Sequence, residues 1–324
     1  RAGTSAQAYN GSTSPNLAMD KVFNISPSNT TTNGDTTVKF YFELAEITGW
    51  EAATGQSRND LVAFKESTGD IVALTVSAFG TDITLTGDFS GLDGNYYFGT
   101  SATFEKATFS PKVYLQGAFT DANVGEETLM RDDLRIAGLL PSTSPYSDNL
   151  TCNINVFNTS GNNAIVDWVF VELRDGSDNS NVLMSQSALL QRDGDVVSND
   201  GVSPLVFPLT SSNYFISVNH RNHLGVMINA AVNLTGTNSN IDLSSSNISI
   251  LGSSNAVVEI NGVFALISGD FNGDGQIVNT DVQSVIPLAG TSGYSTADAD
   301  MNGQITNTDI QLLIIRNAGK GQQY

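Results

Sequence analysis

Two windows of twelve residues near the end of the chain share one pattern of oxygen-bearing side chains. The first covers residues 270–281 (DFNGDGQIVNTD) and the second covers residues 298–309 (DADMNGQITNTD). Each has Asp or Asn at positions 1, 3 and 5, Gly at position 6 and Asp at position 12. Calcium takes six to eight oxygen ligands in a flexible cage, and Gly at position 6 permits the sharp turn of such a loop. The spacing therefore predicts two Ca²⁺ sites.

The predicted metal ligands comprise five residues in each window. They are Asp270, Asn272, Asp274, Gln276 and Asp281, and then Asp298, Asp300, Asn302, Gln304 and Asp309. The glutamines at position 7 would contribute backbone carbonyls, and Ile277 and Ile305 at position 8 are expected to pair across the two loops. Six acidic residues occur in residues 268–324, and all six fall on ligand positions. This coincidence argues against the alternative interpretation, a pair of Asp-Gly turns without metal.

Each window is followed by a short helical pattern, whereas the residues before it carry Gly and Ser and predict no helix. In this order of loop and helix, residues 268–324 resemble the dockerin family, whose tandem calcium repeats fold on metal and bind cohesin partners. The resemblance implies that loop positions 10 and 11 help to choose the partner. The matching pairs, Asn279-Thr280 and Asn307-Thr308, are identical in the two repeats. The first helix departs from the family pattern because Pro287 stops it early.

The two histidines and the one cysteine of the chain do not form a recognisable catalytic or zinc-binding set. If the strand before His220 continues through His223, a spacing of three places the two rings on opposite faces, and they can meet only in a turn. A structural or surface role is therefore expected for both. Cys152 is expected to be a buried thiol rather than a nucleophile.

Acidic residues elsewhere offer one further metal candidate and no catalytic pair. Asp193, Asp195 and Asp200 lie within the segment RDGDVVSNDG. This segment fits an acidic turn between strands, and a third calcium loop is the alternative. The sequence has no phosphate-binding loop, no G-x-S-x-G elbow and no H-E-x-x-H motif. We therefore expect a protein that is not an enzyme.

Composition restricts the classes of partner. The 324 residues include 14 Lys and Arg against 33 Asp and Glu, a net charge of −19, which repels nucleic acid and anionic lipid headgroups. No apolar run is long enough to span a bilayer, so membrane insertion is not expected. A single cysteine excludes an intrachain disulfide. No signal-peptide pattern follows Arg1, which indicates a processed mature form or a fragment.

The elements that must position these residues are mainly β-strands. Short alternating and β-branched runs, separated by Gly and Asp turns, predict two β-sandwich domains of immunoglobulin-like or jelly-roll-like type, followed by the small helical calcium unit. The expected boundaries are a flexible arm or linker at 1–20, a first sandwich at 21–110, a second at 111–267 and the dockerin-like repeat at 268–324.

Four local expectations are specific enough to test against a structure. Residues 44–54 predict a short helix that crosses one end of the first sandwich, with Trp50 plugging its core. Residues 164–174 (AIVDWVFVELR) are mostly apolar on both faces, which predicts a central strand covered on both sides. Further candidate strands are Lys112–Phe119 and Asn153–Phe157.

The middle of the chain has a second resemblance. The stretches RDDLRIAGLLPSTSPY, AIVDWVFVELRD and ISVNHRNHLGVM resemble a module near the C-termini of large secreted surface proteins of gliding Gram-negative bacteria. Such proteins commonly use the type IX secretion route, and residues 36–65 look like a β-sandwich from the same proteins. The resemblance implies a place outside the cell, on the bacterial surface, and no particular reaction.

Together these observations predict a non-catalytic, extracellular calcium-binding structural protein, a building block of a cell-surface filament or adhesin. It would associate with itself or with neighbouring surface-protein domains, and an unpaired arm at 1–20 would add a strand to a neighbouring subunit. The alternative is a carbohydrate-binding or docking accessory module of an extracellular hydrolase system, in which the repeat binds a cohesin-like partner.

Overall fold

The computed structural model describes residues 3–9, 12, 14–28 and 34–324. Strands contain 39% of the residues and helices 19%, which confirms the predicted mainly β class. The chain divides into unit 1, which is Arg1–Ala107, Phe207–Ser212 and Thr235–Thr237, and unit 2, which is Thr108–Val206, Asn213–Leu234 and Asn238–Tyr324. Residues 268–324, predicted as a dockerin-like domain, are grouped with unit 2.

Unit 1 is a sandwich of two antiparallel sheets. Its strands are β1 (Ala6–Gln7), β2 (Ala18–Met19), β3 (Phe23–Ile25), β4 (Asp35–Phe42), β5 (Val62–Lys65), β6 (Asp70–Ala73), β7 (Thr75–Phe79), β8 (Asp82–Ser90) and β9 (Gly94–Gly99). One sheet has the order β3-β9-β5-β6 and the other has the order β4-β8-β7. Helices α1 (Leu44–Thr54) and α2 (Ser101–Phe104) and a 3-10 turn at Arg58–Asp60 connect the strands.

The core of unit 1 is aromatic. Alternate side chains of β4, including Phe40 and Phe42, point inward and pack edge-to-face against Phe98 at centroid distances of 4.9 and 5.0 Å. Helix α1 occupies the predicted residues and ends at Gly55, whose φ of 70° is the left-handed conformation that favours glycine. Trp50 on this helix is fully buried, as predicted, and its indole N–H donates to the Leu17 carbonyl at 2.9 Å.

The described part of segment 1–20 contacts the rest of unit 1. Strand β1 pairs antiparallel with β2. The ring of Tyr9 packs against Phe104 at 5.1 Å and against Phe64 at 5.5 Å, within unit 1. The strand pair is internal to the segment, because β1 and β2 both lie within residues 1–20. The described part of the segment predicted as a flexible arm or linker is attached to unit 1 by the aromatic cluster, by the burial of Ala18 and Met19, and by the hydrogen bond from Trp50 to Leu17.

Unit 2 is built on a six-stranded sheet. The strands from the end of unit 1 onward are β10 (Lys106–Lys112), β11 (Ile165–Asp175), β12 (Asp178–Gln191), β13 (Val196–Val197), β14 (Leu205–Thr210), β15 (Ser212–His220), β16 (His223–Met227), β17 (Val232–Leu234), β18 (Ser239–Asp242), β19 (Val257–Ile260) and β20 (Val263–Leu266). The large sheet has the order β13-β12-β11-β15-β16, and β17 also pairs with β15. Strand β10 pairs in parallel with β18, and β19 forms a hairpin with β20.

The helices of unit 2 are short. They are α3 (Gln116–Phe119), α4 (Asp133–Ile136), α5 (Asn279–Val285) and the π-helical α6 (Asp309–Ile315), with 3-10 turns at Ile154–Asn158, Gly161–Asn163, Asn247–Ser249, Ser253–Asn255 and Ile286–Leu288. Helix α5 passes into the last of these turns at Pro287, as the sequence predicts. None of the helices in the described part of the chain is long and apolar enough to cross a membrane.

Strand β11 is central, as predicted, since β12 and β15 pair with its two edges and most of its residues are buried on both faces. Two other strand predictions are wrong. Strand β10 ends at Lys112, and α3 occupies the end of the segment Lys112–Phe119. The segment Asn153–Phe157 forms a 3-10 turn, because the Asn153 side chain accepts the N–H of Asn155 at 3.0 Å and so caps a turn instead of a strand.

Candidate metal centre

The first loop (residues 270–281) and the second loop (residues 298–309) fold through the same hydrogen bonds. The aspartate at position 1, Asp270 or Asp298, accepts the backbone N–H groups of positions 5 and 6 at 2.8–3.1 Å. The glycines at position 6, Gly275 and Gly303, have φ of 81° and 82°. That left-handed conformation explains why the motif needs glycine there.

The aspartate at position 12 closes each loop onto the helix that follows. Asp281 and Asp309 accept the N–H groups of positions 2, 3 and 9 at 2.7–3.3 Å. Both residues are fully buried. Asp281 lies in the first turn of α5 and Asp309 begins α6, where the helix dipole favours a negative charge.

In the second loop three carboxylates converge. Ligand oxygens of Asp298, Asp300 and Asp309 lie within 4.8 Å of one another, and all three residues are buried. Burial raises the pKa of Asp298 to about 6, and burial together with the charges of Asp309 and Asp298 raises the pKa of Asp300 to about 7. Three like charges this close, largely removed from water, are stabilised by a bound cation. The donor set of carboxylates plus the amide oxygen of Asn302 fits Ca²⁺, which prefers oxygen ligands.

The first loop holds its ligands in a more open arrangement. Asp270 is buried, which raises its pKa to about 6 with further contributions from Asp281 and Asp274. Asp274 and Asn272 are exposed. Among the described residues, the carboxylates of the first loop do not gather within the spacing that the second loop shows. The same sequence pattern therefore produces one compact and one open candidate site.

The predicted position-7 ligands lie in equivalent places in the two loops. The side chains of Gln276 and Gln304 are exposed. Their backbone N–H groups donate to the position-5 side chains, Asp274 and Asn302, at 2.9 and 2.7 Å. This bond holds the backbone of position 7 next to the position-5 ligand, so the backbone carbonyl at position 7 stays the predicted ligand atom.

The expected pairing of Ile277 with Ile305 is wrong at the level of the backbone. The Ile277 N–H donates to the Lys320 carbonyl at 2.9 Å, and the Ile305 N–H donates to the Thr291 carbonyl at 2.9 Å. Each loop therefore pairs with the segment that follows the helix of the other repeat. Both isoleucine side chains nevertheless enter one hydrophobic core, which also contains Leu224 from β16.

The turn between β15 and β16, residues 220–223, is here named the hairpin tip and lies against both loops. Its backbone meets the start of the first loop, where the Gly269 N–H donates to the Asn222 carbonyl at 2.9 Å. The Asn222 side-chain amide meets the second loop, donating to the carbonyls of Thr296 at 3.0 Å and Asp298 at 2.8 Å. Asn222 is fully buried.

Arg221 of the hairpin tip connects the second loop to the centre of the sheet. Its guanidinium lies 4.4 Å from the ring centroid of Tyr294 and donates to the Ser295 carbonyl. Its Nε donates to Asp167 Oδ2 at 2.9 Å, and the Tyr294 hydroxyl donates to Asp167 Oδ1 at 2.7 Å. Burial alone would raise the pKa of Asp167, but the charge of Arg221 and the hydrogen bond from His220 lower it. Asp167 is thus a buried anion that Arg221 neutralises.

The two histidines meet in this turn, so the strand-based expectation of opposite faces does not apply. The Gly117 N–H donates to His223 Nε2 at 3.1 Å, which places the proton of that ring on Nδ1. His220 Nδ1 lies 3.0 Å from His223 Nδ1, and His220 Nε2 lies 3.2 Å from Asp167 Oδ2. Burial lowers the pKa of both histidines. Two neutral rings with every nitrogen hydrogen-bonded fit a structural role.

Helix α3 forms a second contact with the second loop. The Arg131 guanidinium donates to the carbonyls of Asp300 at 2.7 Å and Gly117 at 2.9 Å. A Cβ atom at Gly117 would lie 1.9 Å from the Ala299 carbonyl oxygen, so only glycine permits this approach. The Ser268 hydroxyl also donates to the Ala299 carbonyl, at 2.9 Å.

The first loop is held instead by residues 319–324, here named the end segment. The Gln322 N–H donates to the Gly275 carbonyl at 2.7 Å. The Gln322 side-chain carbonyl accepts the Gly225 N–H at 3.1 Å, and the Tyr324 hydroxyl donates to Asn219 Oδ1 at 2.7 Å. The end segment thus joins the first loop to β15 and β16.

The sequence did not predict four of these residues: Asp167, Arg221, Asn222 and Tyr294. One signal for them was present, because an aspartate in the middle of an otherwise apolar central strand requires a buried partner. The partner could not be identified, since Arg221 and Tyr294 lie 54 and 127 residues away along the chain.

The remaining predicted candidates lie apart from this centre. Asp195 forms an ion pair with Lys112 at 3.2 Å, and Asp200 caps a turn by accepting the Val202 N–H at 2.9 Å. With Asp193, these residues do not form a metal-ligand cluster within the part of the chain that the structure describes. Cys152 is only half-buried, and burial raises its pKa.

Comparison with known proteins yields a distant structural likeness. No protein-family model and no curated protein matches the chain. Two solved structures are similar to it, both type II cohesin–X-dockerin complexes from Acetivibrio cellulolyticus. The N-terminal interface mutant is 18% identical with a TM-score of 0.30 and covers 48% of this chain and 82% of that chain. The C-terminal interface mutant is 15% identical with a TM-score of 0.32 and covers 67% and 97%. Likeness at this level assigns neither fold nor function.

Proposed function

We propose that this chain is a non-catalytic, calcium-stabilised docking module. Ca²⁺ would be held by the side chains at positions 1, 3, 5 and 12 of each loop and by the backbone carbonyls of Gln276 and Gln304. The observation that carries the proposal is the buried cluster of Asp298, Asp300 and Asp309, whose ligand oxygens lie within 4.8 Å. A cation bound only to the folded state stabilises that state by mass action.

The docking surface would be formed by the helices of the repeat. Ile286, Leu312 and Ile315 are 53%, 56% and 49% exposed, although each lies in or beside a helix that follows a loop. Apolar side chains in such positions favour contact with another protein. The polar pairs Asn279-Thr280 and Asn307-Thr308 would add specificity, and the partner would be a cohesin-like protein.

Docking is preferred here to a self-assembling filament because of the arm. In the filament interpretation, an unpaired arm at residues 1–20, together with exposed sheet edges, would add strands between neighbouring subunits. In its described part the arm is not free, because its strands β1 and β2 pair with each other and Ala18 and Met19 of β2 are buried in unit 1. We also propose an extracellular place of action, at a bacterial surface, where millimolar calcium saturates even sites of modest affinity.

Calorimetric titration of the chelator-treated chain with CaCl₂ tests the metal sites. Two Ca²⁺ ions per chain are expected, and one ion each for the Asp281→Asn and Asp309→Asn variants. Replacing Glu259, an exposed acid of unit 2, by Gln is the matched control and should leave both sites intact. Absence of binding at millimolar calcium would refute the proposal.

Light scattering in calcium and in chelator tests docking against self-assembly. A chain that stays monomeric in calcium, and that binds a purified cohesin module only when calcium is present, is the expected result. The Leu312→Asp variant should lose that binding while keeping both Ca²⁺ ions. Calcium-dependent growth into polymers would instead support the filament interpretation.

A further inference from the structure

The side chains of the hairpin tip form hydrogen bonds to the backbone at and before the second loop. We propose that Asn222 and Arg221 are positioning residues for the second loop, which they preform for Ca²⁺, and that their side chains have no such role for the first loop. This inference rests on the proposed calcium function and adds that the two sites are positioned by different residues.

Asn222 acts on the second loop directly. Its amide donates two hydrogen bonds, to the Thr296 carbonyl and to the carbonyl of the position-1 ligand Asp298. The amide oxygen of Asn222 accepts from His223 Nδ1 at 2.8 Å, so the side chain cannot turn over without losing all three bonds. Because Asn222 is fully buried, water does not replace these bonds.

Arg221 adds a second, independent constraint on the same segment. It holds Tyr294 by stacking and the Ser295 carbonyl by a hydrogen bond, immediately before the second loop begins. Asp167 anchors both Arg221 and Tyr294 from the centre of the sheet. The backbone that leads into Asp298 is therefore fixed before any ion arrives.

The hairpin tip contacts the first loop in a different way. Its hydrogen bond there joins two backbone groups, the Gly269 N–H and the Asn222 carbonyl, and a side-chain substitution leaves it in place. Arg221 and Asp270 line one cavity, but among the described residues no hydrogen bond or ion pair joins them. The first loop depends instead on the end segment, through Gln322 and Gly275. Side-chain variants of the hairpin tip should therefore separate the two sites.

Positioning by the hairpin tip implies a reciprocal effect of calcium on the sheet. A group that favours ion binding at the second loop must itself be favoured when the ion is bound, because coupling free energies are symmetric. Calcium in the second loop should thus slow hydrogen exchange of the β15 and β16 amides near the hairpin tip, and calcium in the first loop should do so less.

The experiment measures CaCl₂ affinity by calorimetry in two backgrounds that each keep one site. In Asp281→Asn only the second loop binds, and in Asp309→Asn only the first loop binds. Adding Asn222→Ala should weaken the second loop about 10- to 100-fold, the usual effect of removing a group that orients a metal ligand. The first loop should change less than about threefold.

Asn199→Ala is the matched control, because the Asn199 amide also donates to a backbone carbonyl in unit 2, that of Thr151, away from the loops. It should leave both affinities unchanged. If Asn222→Ala does not fold, Tyr294→Phe is tested instead. This variant removes only the hydroxyl hydrogen bond to Asp167 and should lower the calcium affinity of the second loop about threefold. Equal losses at both loops, or no loss at the second, would overturn the inference. Failure of both backgrounds to bind calcium would refute the proposed function instead.

Discussion

The first and second loops have the same motif and the same internal hydrogen bonds, yet their surroundings differ. The second loop is enclosed by the hairpin tip and by α3, and its three carboxylates are buried together. The first loop has an exposed Asp274 and is held by the end segment. A local motif can therefore specify the shape of a metal loop, whereas the packing around it decides how far the ligands are brought together.

The largest expected effect comes from removing the buried anion that supports the second loop. Asp167→Ala leaves the Arg221 guanidinium buried without its partner, which should lower the free energy of unfolding of unit 2 by about 3–5 kcal/mol. Urea unfolding in chelator measures this change. Glu259→Ala, an exposed acid in the same unit, should change it by less than about 0.5 kcal/mol. Similar values for the two variants would contradict the role given to Asp167.

The next largest expected effect is the pH dependence of calcium binding, which should differ between the two loops. The raised pKa values of Asp298 and Asp300 mean that the metal-free fold binds protons more tightly than the unfolded chain, whose carboxyls titrate near 3.8. Their contribution to stability is present below that pH and is lost as the pH rises through about 6 to 7. Calcium must displace these protons.

Between pH 7.5 and 5, the second loop should therefore lose affinity on the order of a thousandfold, because two of its carboxyls, with pKa values of about 6 and about 7, take up protons. In the first loop, protonation of Asp270, whose pKa is raised to about 6, should cost about tenfold in affinity. Calcium titrations of the Asp309→Asn and Asp281→Asn variants across this pH range measure each loop separately. Parallel pH profiles would show that the two sites are equivalent after all.

A steric change next to the second loop should have a smaller effect on stability and on calcium binding. Gly117→Ala places a methyl group 1.9 Å from the Ala299 carbonyl oxygen, so α3 and the second loop must move apart. A cost of about 1–3 kcal/mol in the free energy of unfolding is expected, together with weaker calcium binding at this loop. Gly34→Ala is the control, because a Cβ there meets open space. Unchanged thermal unfolding of Gly117→Ala would show that the close approach is not required.

The smallest expected effect concerns the first loop. Tyr324→Phe removes the hydrogen bond to Asn219 that holds the end segment, which should cost about 1 kcal/mol. Calcium binding at the first loop should weaken slightly and that at the second loop should not. Tyr41→Phe, an exposed tyrosine of unit 1, serves as the control in the same calorimetric titration. A loss at the second loop instead would contradict the separate support of the two sites.

Sequence reasoning succeeded where the determinants were local. The mainly β class, the helix at Leu44–Thr54 with its buried Trp50, and the central strand β11 all followed from spacing and turn residues. The loop geometry at Gly275 and Gly303 followed from the motif as well.

Sequence reasoning failed where the structure depends on contacts between segments that are far apart in the chain. The sequence could not show that hydrogen bonds of Arg131, Asn222 and Gln322 join residues 268–324 to the rest of unit 2. The histidines were expected to meet only in a turn, and the chain does turn between them, but the spacing could not show whether the strand continues or turns there. Spacing along the sequence contains no information about such contacts, because they depend on which surfaces meet in three dimensions.

The placement of the two tryptophans gives the molecule a separate optical reporter in each unit. Trp50 is buried in the core of unit 1, and Trp168 is buried in unit 2, where its backbone N–H donates to Asp167. Trp50→Phe leaves a single indole beside the buried network that supports the second loop, and Trp168→Phe leaves one in the aromatic core of unit 1. Fluorescence emission from these two single-tryptophan chains would thus distinguish a calcium effect confined to unit 2 from one that reaches unit 1.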